Sequence, residues 1–158
     1  MSPRVSVIVP AYDAPEFLAE ALASVASQDL DDYEVIVVDD GSPRDLRAAA
    51  ESAGLGSRLH FVRQANAGGS AARNRGIAMA RGTLLAFLDH DDRWLPPKLA
   101  RQVAELDAHP TAAMVFCRYR KFGRRTSPEG HPTSAPSGFV LPALVRDTLI
   151  RTLSVVMI

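Results

Sequence analysis

Residues 34–42 read EVIVVDDGS, a β-branched apolar run without alternation that stops abruptly in two acids and a glycine. A strand wetted on one face alternates apolar with polar, so this pattern predicts a strand buried on both faces, as in a parallel sheet covered by helices. Residues 4–12, RVSVIVPAY, share that character. Between the two runs, Asp13 ahead of Pro15 and Glu16 marks a helix start with Asp13 as its cap, and Phe17, Leu18, Ala21, Leu22 and Val25 recur at helical spacing. Downstream, Arg44 to Ala53 reads as a short helix and residues 58–62, RLHFV, as a weaker third strand. Residues 66–82 pass from a glycine turn into a helix ending at Gly82, and residues 83–92, TLLAFLDHDD, form a fourth strand. A helix from Pro96 to Ala108 and a fifth strand over residues 112–120 follow. Strands alternating with helices predict βαβ units: an α/β fold with an open, mostly parallel sheet and helices on both faces. Right-handed crossovers then bring the strands' carboxyl ends to one edge, where Pro10 to Tyr12, Asp39, Asp40 and Asp89 to Asp92 share a crevice.

The 158 residues, 47% of them apolar, suffice for one domain with a core. Eighteen basic side chains balance eighteen acidic ones, so nothing in the bulk charge argues for nucleic acid, no nucleic-acid partner is expected, and any electrostatic function must be local. The single Cys117 has no disulfide partner in the chain and no leader precedes Val5, so the expected setting is the cytoplasm. No run reaches the roughly 18–20 apolar residues of a membrane-spanning segment. Residues 123–138 turn to proline, serine, glycine and charge, as in a mobile loop; residues 139–153 read as a helix and residues 154–158, SVVMI, as the start of another strand. A chain that stops inside such a run is expected to be part of a longer protein, its domain incomplete at the C-terminus.

Three carboxylates within Asp89–Asp92 repel one another and hold water, so a partner is needed to make the cluster worthwhile. In extended backbone Asp89 and Asp91 project together and His90 away. Two convergent carboxylates suit Mg²⁺ or Mn²⁺, whose shell is usually completed by phosphate and water, so a sparse site of this kind argues for a phosphate-bearing ligand. The plainer alternative is a solvated turn, with Asp92 capping the next helix. At the second strand's end, Asp40 can accept the imide N–H of a uracil-type base on which Tyr12 stacks; equally, Asp39 and Asp40 form an ordinary acidic turn and Tyr12 is a rim aromatic. The glycines and serine of residues 66–76, NAGGSAARNRG, open a helix whose free amides can meet an anion. One turn in, Arg73 can reach a diphosphate, pair with an acid of the crevice, or stand in solvent. The basic run over residues 118–125 is better read as a solvated edge strand than as a lipid-binding patch.

Residues 5–13 (VSVIVPAYD), 34–42 (EVIVVDDGS), 66–76 (NAGGSAARNRG) and 82–92 (GTLLAFLDHDD) occur in an order and spacing that resembles the family 2 glycosyltransferases of GT-A fold. The likeness runs from about Val5 to Leu99. It implies inverting transfer of a sugar from a nucleotide diphosphate donor, usually a UDP-sugar, to an acceptor hydroxyl on a glycan or lipid-linked molecule, assisted by Mg²⁺ or Mn²⁺. Carried onto this sequence, Pro10, Ala11 and Tyr12 line the nucleotide pocket and Asp40 holds the base. Arg73 flanks the donor. Asp89 and Asp91 form the Asp-x-Asp metal element with His90 between them, Asp91 the direct ligand and Asp89 turned toward the ribose and the outer shell. Two positions depart from the pattern: Asp13 stands where asparagine is common, and Arg44 where aspartate is common. The family's general base comes from a later acidic motif, to which neither Glu129 nor Asp147 corresponds. The expectation is that the base lies beyond residue 158 and that this piece binds donor but transfers sugar poorly. Such enzymes act in the cytoplasm or at the inner face of the membrane. A sugar nucleotidyltransferase would need a glycine-rich basic signature where residues 10–16 read PAYDAPE. A receiver-like signalling module would need its acids after the first strand and a suitably placed lysine, which Lys98 and Lys121 do not supply; a non-catalytic nucleotide-binding module is the remaining alternative.

Overall fold

The structure, a computed structural model, describes residues 2–122, 137–140, 150 and 152–158. The expected loop over 123–138 is described only at 137 and 138 and the expected helix over 139–153 only at 139, 140, 150, 152 and 153, where Thr152 is extended and Leu153 opens a 3-10 turn; Glu129 and Asp147 lie outside the described residues. Six strands form one sheet in the order β3-β2-β1-β4-β6-β5. They are β1 (Val5–Ala11), β2 (Tyr33–Asp39), β3 (Leu59–Arg63), β4 (Leu84–Phe87), β5 (Val115–Phe116) and β6 (Val156–Met157). Among the described residues the α-helices are α1 (Pro15–Ala26), α2 (Arg47–Glu51), α3 (Gly69–Met79) and α4 (Lys98–Ala108). Strands β1 to β4 run parallel, while β6 pairs antiparallel with both β4 and β5.

Every residue of β1 and β2 is buried, as their unbroken apolar runs require. Alternate side chains serve two faces. Val5, Val7, Val9, Val35 and Val37 meet Leu18 and Leu22 of α1 and Leu99 of α4, whereas Ile36 and Val38 meet Ala72 of α3. On that second face α3 comes so close to β1 that a Cβ built on Gly76 would lie 2.5 Å from Ile8 Cγ2. A glycine there lets the helix approach.

Several boundaries differ from expectation. The second helix is only five residues, and α3 ends at Met79, short of Gly82. The fifth strand is two residues, as short as its partner β6, so the described part of the basic run, residues 118–122, lies outside the sheet and is not an edge strand. Cys117 sits one residue past β5, half-buried, with its N–H donated to Val155 O at 3.1 Å; burial pushes its thiol up. Asp13 does not cap α1. The cap position is Ala14 and makes no side-chain bond, because Asp13 takes a left-handed backbone (φ 47°) and its carboxylate accepts from Arg44 Nε at 2.7 Å. Nor does Asp92 cap α4, which starts after Pro97; its Oδ2 accepts instead from Thr152 Oγ1 at 3.1 Å.

Strand order changes direction at β1: the chain builds outward through β2 and β3, then returns to the other side of β1 for β4. Open α/β sheets leave a crevice at such a switch point, outside the carboxyl ends of the strands.

Candidate functional site

Three strand ends shape this crevice. After β2, Asp40 N–H donates to Ala11 O at 2.9 Å, holding the second loop against the first. Asp39 then folds back as an ordinary acidic turn, its Oδ1 accepting from Ser42 N–H at 2.9 Å, and its Oδ2 lies 3.3 Å from Arg63 Nη1 as an ion pair without hydrogen-bond alignment. Gly41 has φ +75° and a Cβ there would lie 2.7 Å from Asn66 N, so only glycine passes. Ser42 Oγ accepts from Asp13 N–H at 2.9 Å, which ties the loop after β2 to the loop after β1.

Asp40 is 4% exposed, and its carboxylate accepts from Gln64 Nε2 at 2.8 Å, Ala67 N–H at 2.9 Å and Gly68 N–H at 2.8 Å. Burial alone would raise its pKa, but these three donors outweigh it and hold the carboxyl below its ordinary value. The amides ahead of α3, expected to await a ligand anion, are in part satisfied by this residue. A carboxylate offers about four acceptor positions, so Asp40 retains one.

From one turn inside α3, Arg73 Nη2 donates to Asp89 Oδ1, the second of the three roles its sequence position left open. Its Nε is buried with no hydrogen-bond partner among the described residues. Strand β4 ends at Phe87, and Asp89 to Asp92 close a turn in which Asp92 N–H donates to Asp89 O at 3.0 Å. Alternation therefore stops before the acidic cluster, and His90, expected to point away, lines the crevice beside Asp89 and Asp91.

The crevice has a volume of about 170 Å³, and every site residue expected from sequence borders it: Pro10 and Ala11 at the end of β1 with Tyr12 just after it, Asp40 just after β2, Arg73 from α3, and Asp89, His90 and Asp91 from the turn. Gly69 is the lining residue that sequence reading did not single out, although it belongs to the glycine turn already marked. Tyr12 is 47% exposed and forms the rim. Carboxylates at 40, 89 and 91 face a single guanidinium, so negative charge is in excess. The volume is below the roughly 300–1,000 Å³ of a small-molecule pocket, so the described residues enclose only part of a nucleotide-sized ligand. Lys98 is not a crevice residue; it is buried against the Trp94 ring, 4.0 Å from its centroid, and donates to Gln102 Oε1 at 2.6 Å.

In sequence and fold the chain is similar to known proteins. Teichuronic acid biosynthesis glycosyltransferase TuaG of Bacillus subtilis, a putative assignment in its own name, is 32% identical over 97% of this chain and 61% of its own length. TarS 1–349 of S. aureus, solved in complex with UDP, superposes with a TM-score of 0.74 at 28% identity, covering 85% of this chain and 40% of that one. Mannosyltransferase PcManGT of Pyrobaculum calidifontis, solved with GDP-Man and Mn²⁺, gives a TM-score of 0.66 at 31% identity over 74% of this chain and 36% of that one. The chain thus spans less than two thirds of the length of each, and shares with the solved proteins the GT-A arrangement of sheet and helices. The family model for glycosyl transferase family 2 matches residues 6–154, so the chain belongs to that family.

Proposed function

We propose that the crevice binds a nucleotide diphosphate sugar, with UDP as the nucleotide, for inverting transfer of the sugar to a hydroxyl of a glycan or lipid-linked acceptor. The observation that carries this reading is the convergence, at the sheet's switch point, of Asp40, Arg73, Asp89 and Asp91 from three separate segments with Tyr12 at the rim. UDP and GDP-Man complexes of the two solved relatives support a nucleotide donor.

Each residue then has a task. Tyr12 stacks on the base from the rim, and Asp40 offers its remaining acceptor position to the imide N–H. A diphosphate entering alone would meet the excess of carboxylates and be repelled. The donor set fits a divalent cation: Asp91 lines the crevice with no hydrogen-bond partner among the described residues, and both it and Asp89 offer hard carboxylate oxygens. Mg²⁺ or Mn²⁺, held by Asp91 with Asp89 behind it, would stabilise the negative charge that develops on the departing diphosphate. Arg73, whose side chain lines the crevice, would offer its guanidinium to a phosphate oxygen. Among the described residues none of the three crevice carboxylates is spare for deprotonating an acceptor, and slow transfer by the chain as given is the expected outcome. It would work in the cytoplasm or at the inner face of the membrane; no helix among the described residues is long and apolar enough to cross one.

Calorimetry tests the reading. UDP should bind in Mn²⁺ and fail to bind in chelator, and a nucleotide sugar should be consumed slowly or not at all by the purified chain. Metal-independent UDP binding, or rapid transfer to a defined acceptor, would refute the corresponding part.

A further inference from the structure

The acidic turn does not stand on its own segment. Asp89 N–H donates to Ser154 Oγ at 2.9 Å, and Trp94 Nε1 donates to the backbone oxygen of the same Ser154 at 2.7 Å. Both ends of the Asp89–Trp94 loop are thus fastened to one residue 60 positions downstream of Trp94. Ser154 is 5% exposed, and its own N–H donates to Thr152 Oγ1 at 3.2 Å. That hydroxyl in turn lies 3.1 Å from Asp92 Oδ2 and 3.4 Å from Asp89 Oδ2. The downstream segment is itself fixed. Gln102 Nε2 of α4 donates to Val155 O at 2.8 Å, and Leu85 and Ile158 exchange backbone bonds at 2.7 and 2.9 Å. A loop bearing three like charges would otherwise spread, since repulsion among its carboxylates favours longer separations.

We propose that Ser154 is a positioning residue for the acidic turn: by closing the Asp89–Trp94 loop on itself it aims the Asp89 and Asp91 carboxylates at one cation, with Thr152 as a second tether. This rests on the donor-site reading above and adds to it the residues that hold the metal element in shape. Ser154 touches neither metal nor donor; it acts through the peptide of Asp89. Outer partners of this kind set ligand direction, and their loss typically weakens metal binding about ten- to a hundredfold.

The experiment compares the unsubstituted chain with Ser154→Ala, Thr152→Val and Thr152→Ser, using calorimetry with UDP plus Mn²⁺ and, separately, with uridine, which carries no phosphate. Thermal unfolding of each variant is followed alongside. Ser154→Ala should weaken UDP·Mn²⁺ binding about tenfold or more, leave uridine binding unchanged, and keep a cooperative transition. Thr152→Val, which keeps shape and removes the hydroxyl, should weaken it in the same selective way, while Thr152→Ser should restore it. Equal loss for UDP·Mn²⁺ and uridine, or no loss for either, would overturn the proposal. If Ser154→Ala does not fold, the Thr152 pair decides: equal affinities for the valine and serine variants overturn it, and a selective loss in the valine variant alone supports it. Failure of the unsubstituted chain to bind UDP with Mn²⁺ would instead remove the donor-site reading and this proposal with it.

Discussion

At the end of β2 the carboxylate of Asp40 holds three donors of the 64–68 turn while facing the crevice. An amide of the same shape would turn an NH₂ toward one of those N–H groups. Asp40→Asn should therefore cost about 1–3 kcal/mol, read as a lower urea midpoint. The pH dependence has a definite sign. Because the folded pKa lies below the ordinary 3.8, Asp40 contributes stability that is fully present above that value and is lost as pH falls through the folded pKa. Acid titration of stability should be shallower in Asp40→Asn than in the unsubstituted protein; identical acid limbs would contradict the assignment. Lys98 behaves in the opposite sense. Burial lowers its pKa from 10.5 to about 8, against a smaller upward pull from Cys117. Between those values the unfolded chain binds the proton and the folded one does not, so Lys98 makes stability rise with pH over that interval. Denaturant unfolding at pH 8 and pH 10 should show that rise diminished in Lys98→Met, the difference between the two proteins isolating Lys98 from other groups that titrate there.

Among the elements, α3 shows which constraints can be read from sequence. Its glycine-serine start and the strand before it are visible as patterns, but the contact of Gly76 with Ile8 is not, because it depends on how close the helix sits. Gly76→Ala tests that contact. Helix propensity alone would gain about 1 kcal/mol, whereas a methyl 2.5 Å from a buried side chain of a central strand adds overpacking, typically about 1–3 kcal/mol. Net destabilisation by urea unfolding is expected; a raised midpoint would mean that helix and strand can separate without loss. The acidic turn shows the limit of the period-2 rule. That rule holds through Phe87 and then fails, since pairing with β1 ends at Ile8 opposite Phe87 and the backbone is free to turn. Hence the site composition was legible from motifs, while the inward placing of His90 was not. Helix caps misled for a related reason: Asp13 and Asp92 fit the cap pattern, but Arg44 and Thr152, distant in sequence, bind their carboxylates first. The Asp13–Arg44 pair also joins the two positions that the sequence reading expected to depart from the pattern it resembles.

For the molecule as a whole, the parallel part of the fold was legible because β1 and β2 lack alternation and α1 between them is periodic, whereas β5 and β6 were legible as strands but their antiparallel pairing was not. The same topology explains the site. One switch in strand order places the ends of β1, β2 and β4 side by side, so acids scattered over fifty residues share one crevice with Arg73. On the proposed reading, their charge balance would make the cation and the diphosphate interdependent, each relieving the other's repulsion. That interdependence is tested most directly by the paramagnetic resonance of free Mn²⁺ during titration into the protein with saturating UDP. The free-ion signal should be suppressed up to one Mn²⁺ per chain in the unsubstituted protein and not in Asp91→Ala; equal suppression in both, or none in either, would contradict a divalent ion seated on the acidic turn.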